Sequence, residues 1–429
     1  MVFLRWRISH IFCTAFCLFM LLGAAGCGRV ELRTQTPSAP VAEAVTPLKL
    51  GLLLNFSEGA TERAIERQRA FNLAIKHINE GGGVFGLPVE VAVGDTTRDP
   101  TVAVEAARHL IEEEGVHALV GPSSSANTLP VAERVAGPAG IPLISSSATS
   151  PLLTAAADND FLFRTALSDS AQGPVLARIT RERGFTNVGV IYINDAWGRG
   201  LADAFAAAWE GEIAMVVFDP DQTSVLDALR QSARSGAQAL VVITFEEAAE
   251  AIVSEALAQG IYDQFLFGDA AKSPALVRAI GGDRLGGMYG TAGTSDPKSA
   301  SDAAWEAAYT AEYGMLPEYA YVKETYDATI ALALAAQAAG SVDGAAIRDR
   351  LRAIGSGPGV VVTAGVESIA AGLQVLAEGG EINYEGAATT LDWDENGDLR
   401  RGHIGVWRFT ADEGIEEVEV IPFEAPAQE

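Results

Sequence analysis

The chain has 429 residues, 48% of them hydrophobic and 20% charged, a globular balance that excludes wholesale disorder and allows two domains with cores of their own. Its formal net charge is −26. A surface this acidic repels nucleic acid and anionic lipid at long range, so nucleic-acid binding is not expected.

The first 27 residues differ in kind from the rest. Arg5 and Arg7 form a positive end, residues 8–25 are nearly all apolar, and the run closes with LGAAGC at Cys27. This is the layout of a secretory signal, and the apolar run is short for a membrane span. A Cys after small residues is similar to a bacterial lipobox, which implies lipidation at Cys27. The usual Leu three places before the Cys is Ala24 here, so an ordinary cleaved signal or an uncleaved anchor is the alternative. Cys13 and Cys17 lie inside the signal, so the mature chain keeps one thiol and forms no internal disulfide. Residues 28–47 are rich in Pro, Thr, Ala and Glu and read as a flexible leash.

From Leu48 onward, strands and helices alternate. Residues 49–55 read as a buried strand, 62–80 as a helix stopped by Gly81-Gly82-Gly83, and 88–94 as a strand. A helix over 101–114 and a strand over 117–120 follow. The first of two hydroxyl-rich turns comes next, then a short strand over 141–144 and the second turn. Residues 161–165 are extended. A second alternating run has strands at 188–193, 213–218, 239–244 and 265–268, with helices at 170–183, 201–210, 225–235 and 246–260. This order implies parallel sheets with right-handed crossovers, in two similar α/β lobes. Helices are expected at 303–313, 321–339 and 342–354. The Gly-rich stretch 355–385 offers only short candidates, and strands close the chain at 404–409 and 416–421.

The two turns lie in GPSSSANTLPVAERVAGPAGIPLISSSATSP, residues 121–151. Each follows a buried apolar run and opens a helix. In alternating strand–helix proteins, loops at the carboxyl ends of strands face the ligand crevice. Backbone N–H groups at a helix start, with Ser and Thr hydroxyls beside them, cradle an anion. Two such cradles suit the charged head of one small zwitterion.

Four segments in order resemble the periplasmic (type I) solute-binding proteins of branched-chain amino-acid ABC transporters. They are the two turns just quoted, INDAWGRGLADAF at 193–205, QFLFGDAAKSPAL at 264–276, and GEINYEGAATTLDWDENGDLRRGHIGVWRF at 380–409. The resemblance covers residues 48–423. It implies two Rossmann-like, doubly wound lobes joined by a three-strand hinge that closes on a ligand. One lobe would take 48–167 and 293–386, the other 168–292 and 387–423.

By the same resemblance, Ser125 meets the ligand carboxylate, Ser147 and Ala148 offer backbone contacts, and Thr149 offers a hydroxyl. Asp269 receives the ammonium and Trp197 forms an aromatic lid. Phe245 falls near another aromatic position, where the family often carries a hydroxyl that Phe lacks. Each has a plainer alternative: helix capping for Ser125 and Asp269, turn chemistry for Ser147 and Thr149, and packing for Trp197. The stretch 57–70 departs from the family's Gly-rich pattern and carries Arg63, Arg67 and Arg69. A buried Arg63 favours an acidic or polar ligand; a solvated helix face with Glu62 and Glu66 is the alternative.

No nucleophile, zinc or phosphate-loop motif occurs, and no cofactor is expected. Residues 392–398 match half of a calcium loop, but position twelve is His403, so a tight Asn-Gly turn is expected there. The expected function is a non-enzymatic, lipid-anchored solute-binding protein outside the cytoplasmic membrane, taking an amino acid or related amide to an ABC permease. A ligand sensor for a separate signalling partner is the alternative.

Overall fold

The computed structural model describes residues 46–425 apart from 58–60, 220 and 222. The signal segment, Cys27 and nearly all of the leash lie outside the described residues.

The first sheet is built from β1 (Lys49–Leu54), β2 (Glu90–Asp95), β3 (Ala118–Val120), β4 (Leu143–Ser145) and β5 (Leu162–Arg164). Its spatial order is β2-β1-β3-β4-β5 and every pair is parallel. The crossovers are α1 (Thr61–Glu80), α2 (Pro100–Glu112), α3 (Ser125–Val131) and α4 (Gly137–Ala139), the last two joined by a π-turn at 132–136. A parallel sheet is covered on both faces, which is why β1 reads KLGLLL and β3 ALV with no polar alternation.

The second sheet follows α5 (Asp169–Glu182). It contains β6 (Asn187–Ile193), β7 (Glu212–Phe218), β8 (Ala239–Ile243), β9 (Phe265–Phe267) and β10 (Tyr289–Thr294). Between them run α6 (Ala196–Ala208), α7 (Val225–Ser232), α8 (Glu246–Gln259), α9 (Pro274–Ile280) and α10 (Gly282–Leu285). Strand β8 shows the layering directly. Leu240 and Val242 join the core beneath α7 and α8, whereas Ala239, Val241 and Ile243 join the core beneath α5 and α6.

The chain then returns to the first sheet with α11 (Ala300–Tyr313), α12 (Val322–Ala339), α13 (Gly344–Ser356), β11 (Val360–Val362), α14 (Val366–Ala377) and β12 (Ile382–Tyr384). Helix α12 is buried on nearly every side, and its core includes α1, α13 and α14. Burying its Ile330, Leu332 and Leu334 contributes about 1.5–3 kcal/mol each. Finally β13 (Arg401–Phe409) and β14 (Ile415–Glu424) add antiparallel to β10, giving the order β14-β13-β10-β9-β8-β6-β7. The chain passes between the two sheets three times, at 165–168, 295–299 and 385–400. The architecture is α/β throughout, two doubly wound layers with triple connection.

Of the elements that differ from the sequence expectation, three have a direct physical cause. Helix α6 begins at Ala196 rather than 201, because Asp195 caps it: its Oδ1 accepts from the Gly198 N–H at 2.8 Å. Strand β10 reads YGTAGT, without the apolar run that marks the other strands and so unnamed from sequence, yet it pairs with both β9 and β13, and its small residues leave room for the Trp407 ring. Helix α14 lies inside the Gly-rich stretch. Gly372 is required there by close packing, since a Cβ would come within 2.7 Å of Val362.

The acidic segment 392–398 forms a turn: the Asp394 carboxylate accepts from the N–H groups of Asn396 and Asp398, and Gly397 takes φ +74°. Asp398 is itself engaged by Arg164.

Candidate functional site

A cavity of about 540 Å³ lies where the carboxyl ends of β1, β3 and β4 face those of β6, β8 and β9. That volume suits a small molecule. The position follows from the topology, since crossover loops leave the strands at that edge.

On the first wall, Ser124 takes the capping role for α3, its Oγ accepting from the Asn127 N–H at 3.3 Å. Ser125 is thereby free of that duty. Its Oγ instead accepts from the Ser150 N–H at 3.2 Å, which fixes the oxygen and leaves the hydroxyl proton to donate. The Ser147 hydroxyl donates to the Ser123 carbonyl at 2.7 Å, locking the two hydroxyl turns together. Both Ser125 and Ser147 line the cavity.

On the opposite wall, Trp197 and Phe245 lie 5.0 Å apart between ring centres and present a continuous aromatic surface. Asp269 stands just past β9, only 6% exposed, with its carboxylate held from two sides. The Tyr321 hydroxyl donates to Oδ2 at 2.7 Å, and Gln172 Nε2 donates to Oδ1 at 3.4 Å. Tyr321 adopts φ +68°, a left-handed conformation a bulky residue rarely takes, at the junction into α12. Burial pushes the Asp269 carboxyl above its usual range, against the opposing pull of these hydrogen bonds. Behind it, burial and then the Asp269 charge also raise the Asp169 carboxyl, and its Oδ1 has no partner. Two buried acids side by side form a site that gains from an incoming cation.

Five residues expected from the sequence therefore meet around one cavity: Ser125, Ser147, Trp197, Phe245 and Asp269. Ala148 and Thr149 stand outside its lining. The Thr149 hydroxyl donates to Asp169 Oδ2 at 3.0 Å, and the Ala148 N–H donates to Ser145 Oγ at 3.2 Å. Arg63 lines the cavity, but its guanidinium crosses it to Glu246 at 2.8 Å and to the Ala270 carbonyl at 2.9 Å. Glu62 and Glu66 hold Tyr319 and the Glu318–Tyr319 backbone instead of Arg63.

Further contacts tie the two walls together. Arg98 pairs with Glu247 at 2.6 Å, and the Ser150 hydroxyl donates to the Ala196 carbonyl at 2.7 Å. Gly200 is required by that approach, because a Cβ there would stand 2.6 Å from Ser150 Oγ.

The sequence reading missed Tyr321, Gln172, Asp169 and the role of Arg67. For Arg67 a signal existed: it lies four residues before Phe71 and seven before Ala74, on the buried face of α1, where a cation is out of place.

A cleft between two α/β layers, walled by hydroxyls on one side and by a buried acid and aromatics on the other, defines a small-molecule binding protein. The family model described as periplasmic binding protein matches residues 47–390, and the chain belongs to that family, in the type I branch that includes the Leu/Ile/Val-binding proteins. It is 28% identical over 363 residues to the chemotactic signal transduction system substrate-binding protein BasB of Halobacterium salinarum, covering 81% of this chain and 83% of that one. It is 30% identical over 287 residues to Leu/Ile/Val-binding protein homolog 1 of Brucella suis, covering 64% and 74%. Among solved structures, the leucine binding protein LivK of Thermotoga maritima superposes with a TM-score of 0.74 at 22% identity, covering 87% and 98%. LivJ of Streptococcus pneumoniae, in complex with isoleucine, gives 0.70 at 24% identity, covering 88% and 100%.

Proposed function

We propose that this chain is the extracytoplasmic solute-binding component of an ABC importer, anchored through Cys27, and that it takes an amino acid or related amide without chemical turnover. The lobes divide at about residues 168, 293 and 387, and close around the ligand by hinge motion at the three crossovers. The observation that carries this reading is the opposition of Ser125 and Ser147 to Asp269 across one cavity. The Ser125 hydroxyl and the backbone N–H groups of the turn at Ser147 take the ligand carboxylate, and Asp269 takes its ammonium. Relatives named for binding leucine, isoleucine and valine, and a fold neighbour holding isoleucine, support the amino-acid class. The relative named for chemotactic signal transduction favours one second reading, in which the same cleft reports ligand to a separate signalling partner.

A thermal-shift screen of amino acids, amides and short acids tests the ligand class. A ligand at about 100 times its Kd stabilises the folded chain by about 2.7 kcal/mol, a rise of several degrees. Absence of a shift with every amino acid and amide would remove the reading.

Affinity should also depend on pH with a definite sign. Burial raises the Asp269 carboxyl, and a protonated Asp269 accepts no ammonium. Binding of an α-amino acid therefore weakens as pH falls through the raised Asp269 titration, and proton release accompanies binding across that titration. Calorimetry in two buffers of different ionisation heat measures both; affinity that rises on acidification would contradict the role of Asp269.

A further inference from the structure

Four cations line the cavity of a chain whose net charge is −26: Arg63, Arg67, Arg98 and Lys272. Three have a carboxylate in reach: Arg63 with Glu246 at 2.8 Å, Arg98 with Glu247 at 2.6 Å and Lys272 with Glu417 at 3.9 Å. Arg67 has none within ion-pair distance among the described residues. Its Nη2 donates to the Ala320 carbonyl at 3.3 Å, its guanidinium lies 5.9 Å from the centre of the Tyr321 ring, and its buried Nε–H has no acceptor. Glu324 and Asp269 act on it at longer range, while burial and the Arg63 charge draw its pKa down to about 10, so it stays protonated near neutrality.

A second buried N–H without an acceptor, Trp197 Nε1, stands on the facing wall. Both groups are donors only. The other buried unpartnered side-chain atoms among the described residues belong to residues away from the cavity lining. An unmet buried donor is costly, and more so when charged. A neutral zwitterion engages Asp269 and the serines and leaves the Arg67 guanidinium without a carboxylate in contact.

We infer that the cleft's ligand is an amino acid whose side chain carries a carboxylate, and that Arg67 is the residue receiving that carboxylate. This rests on the amino-acid reading above and narrows it. Arg63, committed to Glu246 and Ala270, serves lobe contact instead.

The experiment is isothermal calorimetry on the full chain with L-glutamate, L-glutamine and L-leucine, for the wild type and for Arg67→Met. Glutamate is expected to bind at least about tenfold more tightly than glutamine, its uncharged isostere, in the wild type. Arg67→Met should weaken glutamate by about tenfold or more and glutamine by less than about threefold. Leucine or glutamine binding as tightly as glutamate would overturn the inference and leave the amino-acid reading standing. Equal losses for glutamate and glutamine would also overturn it, placing Arg67 on the common α-carboxylate. Binding of none of the three would overturn the inference, and the thermal-shift screen of all amino acids and amides then decides the amino-acid reading separately. The wild-type ranking needs no variant, so it decides the matter even where Arg67→Met folds poorly.

Discussion

Asp269→Asn is expected to weaken α-amino acid binding by about 2–5 kcal/mol, roughly 30-fold to several-thousand-fold, while the protein stays folded. The substitution keeps the shape and still accepts the Tyr321 hydrogen bond, giving up only the long 3.4 Å bond from Gln172, so the loss reports charge more than packing. The ammonium would be left buried opposite a neutral amide, with no compensating anion in contact. The unliganded protein responds in the opposite sense. Burial first and the Asp269 charge second raise the Asp169 carboxyl, so removing that charge relieves a buried acid pair and leaves the melting temperature equal or higher. A binding loss combined with undiminished stability is the signature of a ligand contact. Unchanged affinity would take Asp269 out of the site.

The second large effect is on stability. Arg164→Ala is expected to cost about 3–5 kcal/mol in chemical denaturation. The side chain is 1% exposed and ends β5 among fixed acceptors. Its Nε donates to Asp398 Oδ1 at 2.7 Å, Nη1 to the Ser150 carbonyl at 2.9 Å and the Ala148 carbonyl at 3.4 Å, and Nη2 to Thr154 Oγ1 at 3.1 Å. Truncation takes the guanidinium from Asp398 Oδ1 and from the Ala148 and Ser150 carbonyls, of which Ser150 keeps the Leu153 N–H, while Asp398 Oδ2 keeps the Thr154 hydroxyl. Those carbonyls belong to the second hydroxyl turn, so ligand affinity should fall together with stability. A cost below about 1 kcal/mol would mean that the turn is held by its own hydrogen bonds and not by Arg164.

How far the sequence disclosed this arrangement depends on which signal each residue carries. Most strands of both layers were legible because parallel strands are continuous apolar runs, and Ser125, Ser147, Trp197 and Asp269 were legible because each sits just past such a run. Ala148 and Thr149 share that position yet stand outside the cavity lining. One turn carries side chains in several directions, and spacing alone does not say which oxygen faces the ligand and which faces Asp169. Strand β10 and helix α14 were hidden by glycines whose purpose is tertiary, admitting the Trp407 ring and the Val362 side chain. Tyr321 reaches Asp269 from 52 residues away in the chain, through a left-handed backbone turn that local pattern does not signal. Arg67 was visible only as a charge on a buried helix face, and its meaning depends on the cavity beyond it.

The most direct measurement of the central claim is a crystal structure of the chain with its tightest-binding amino acid. The account predicts that the α-carboxylate rests against Ser125 and Ser147 and that the ammonium lies within hydrogen-bond distance of Asp269. An amino acid found elsewhere on the protein, or one lying in the cleft with its ammonium turned away from Asp269, would contradict it.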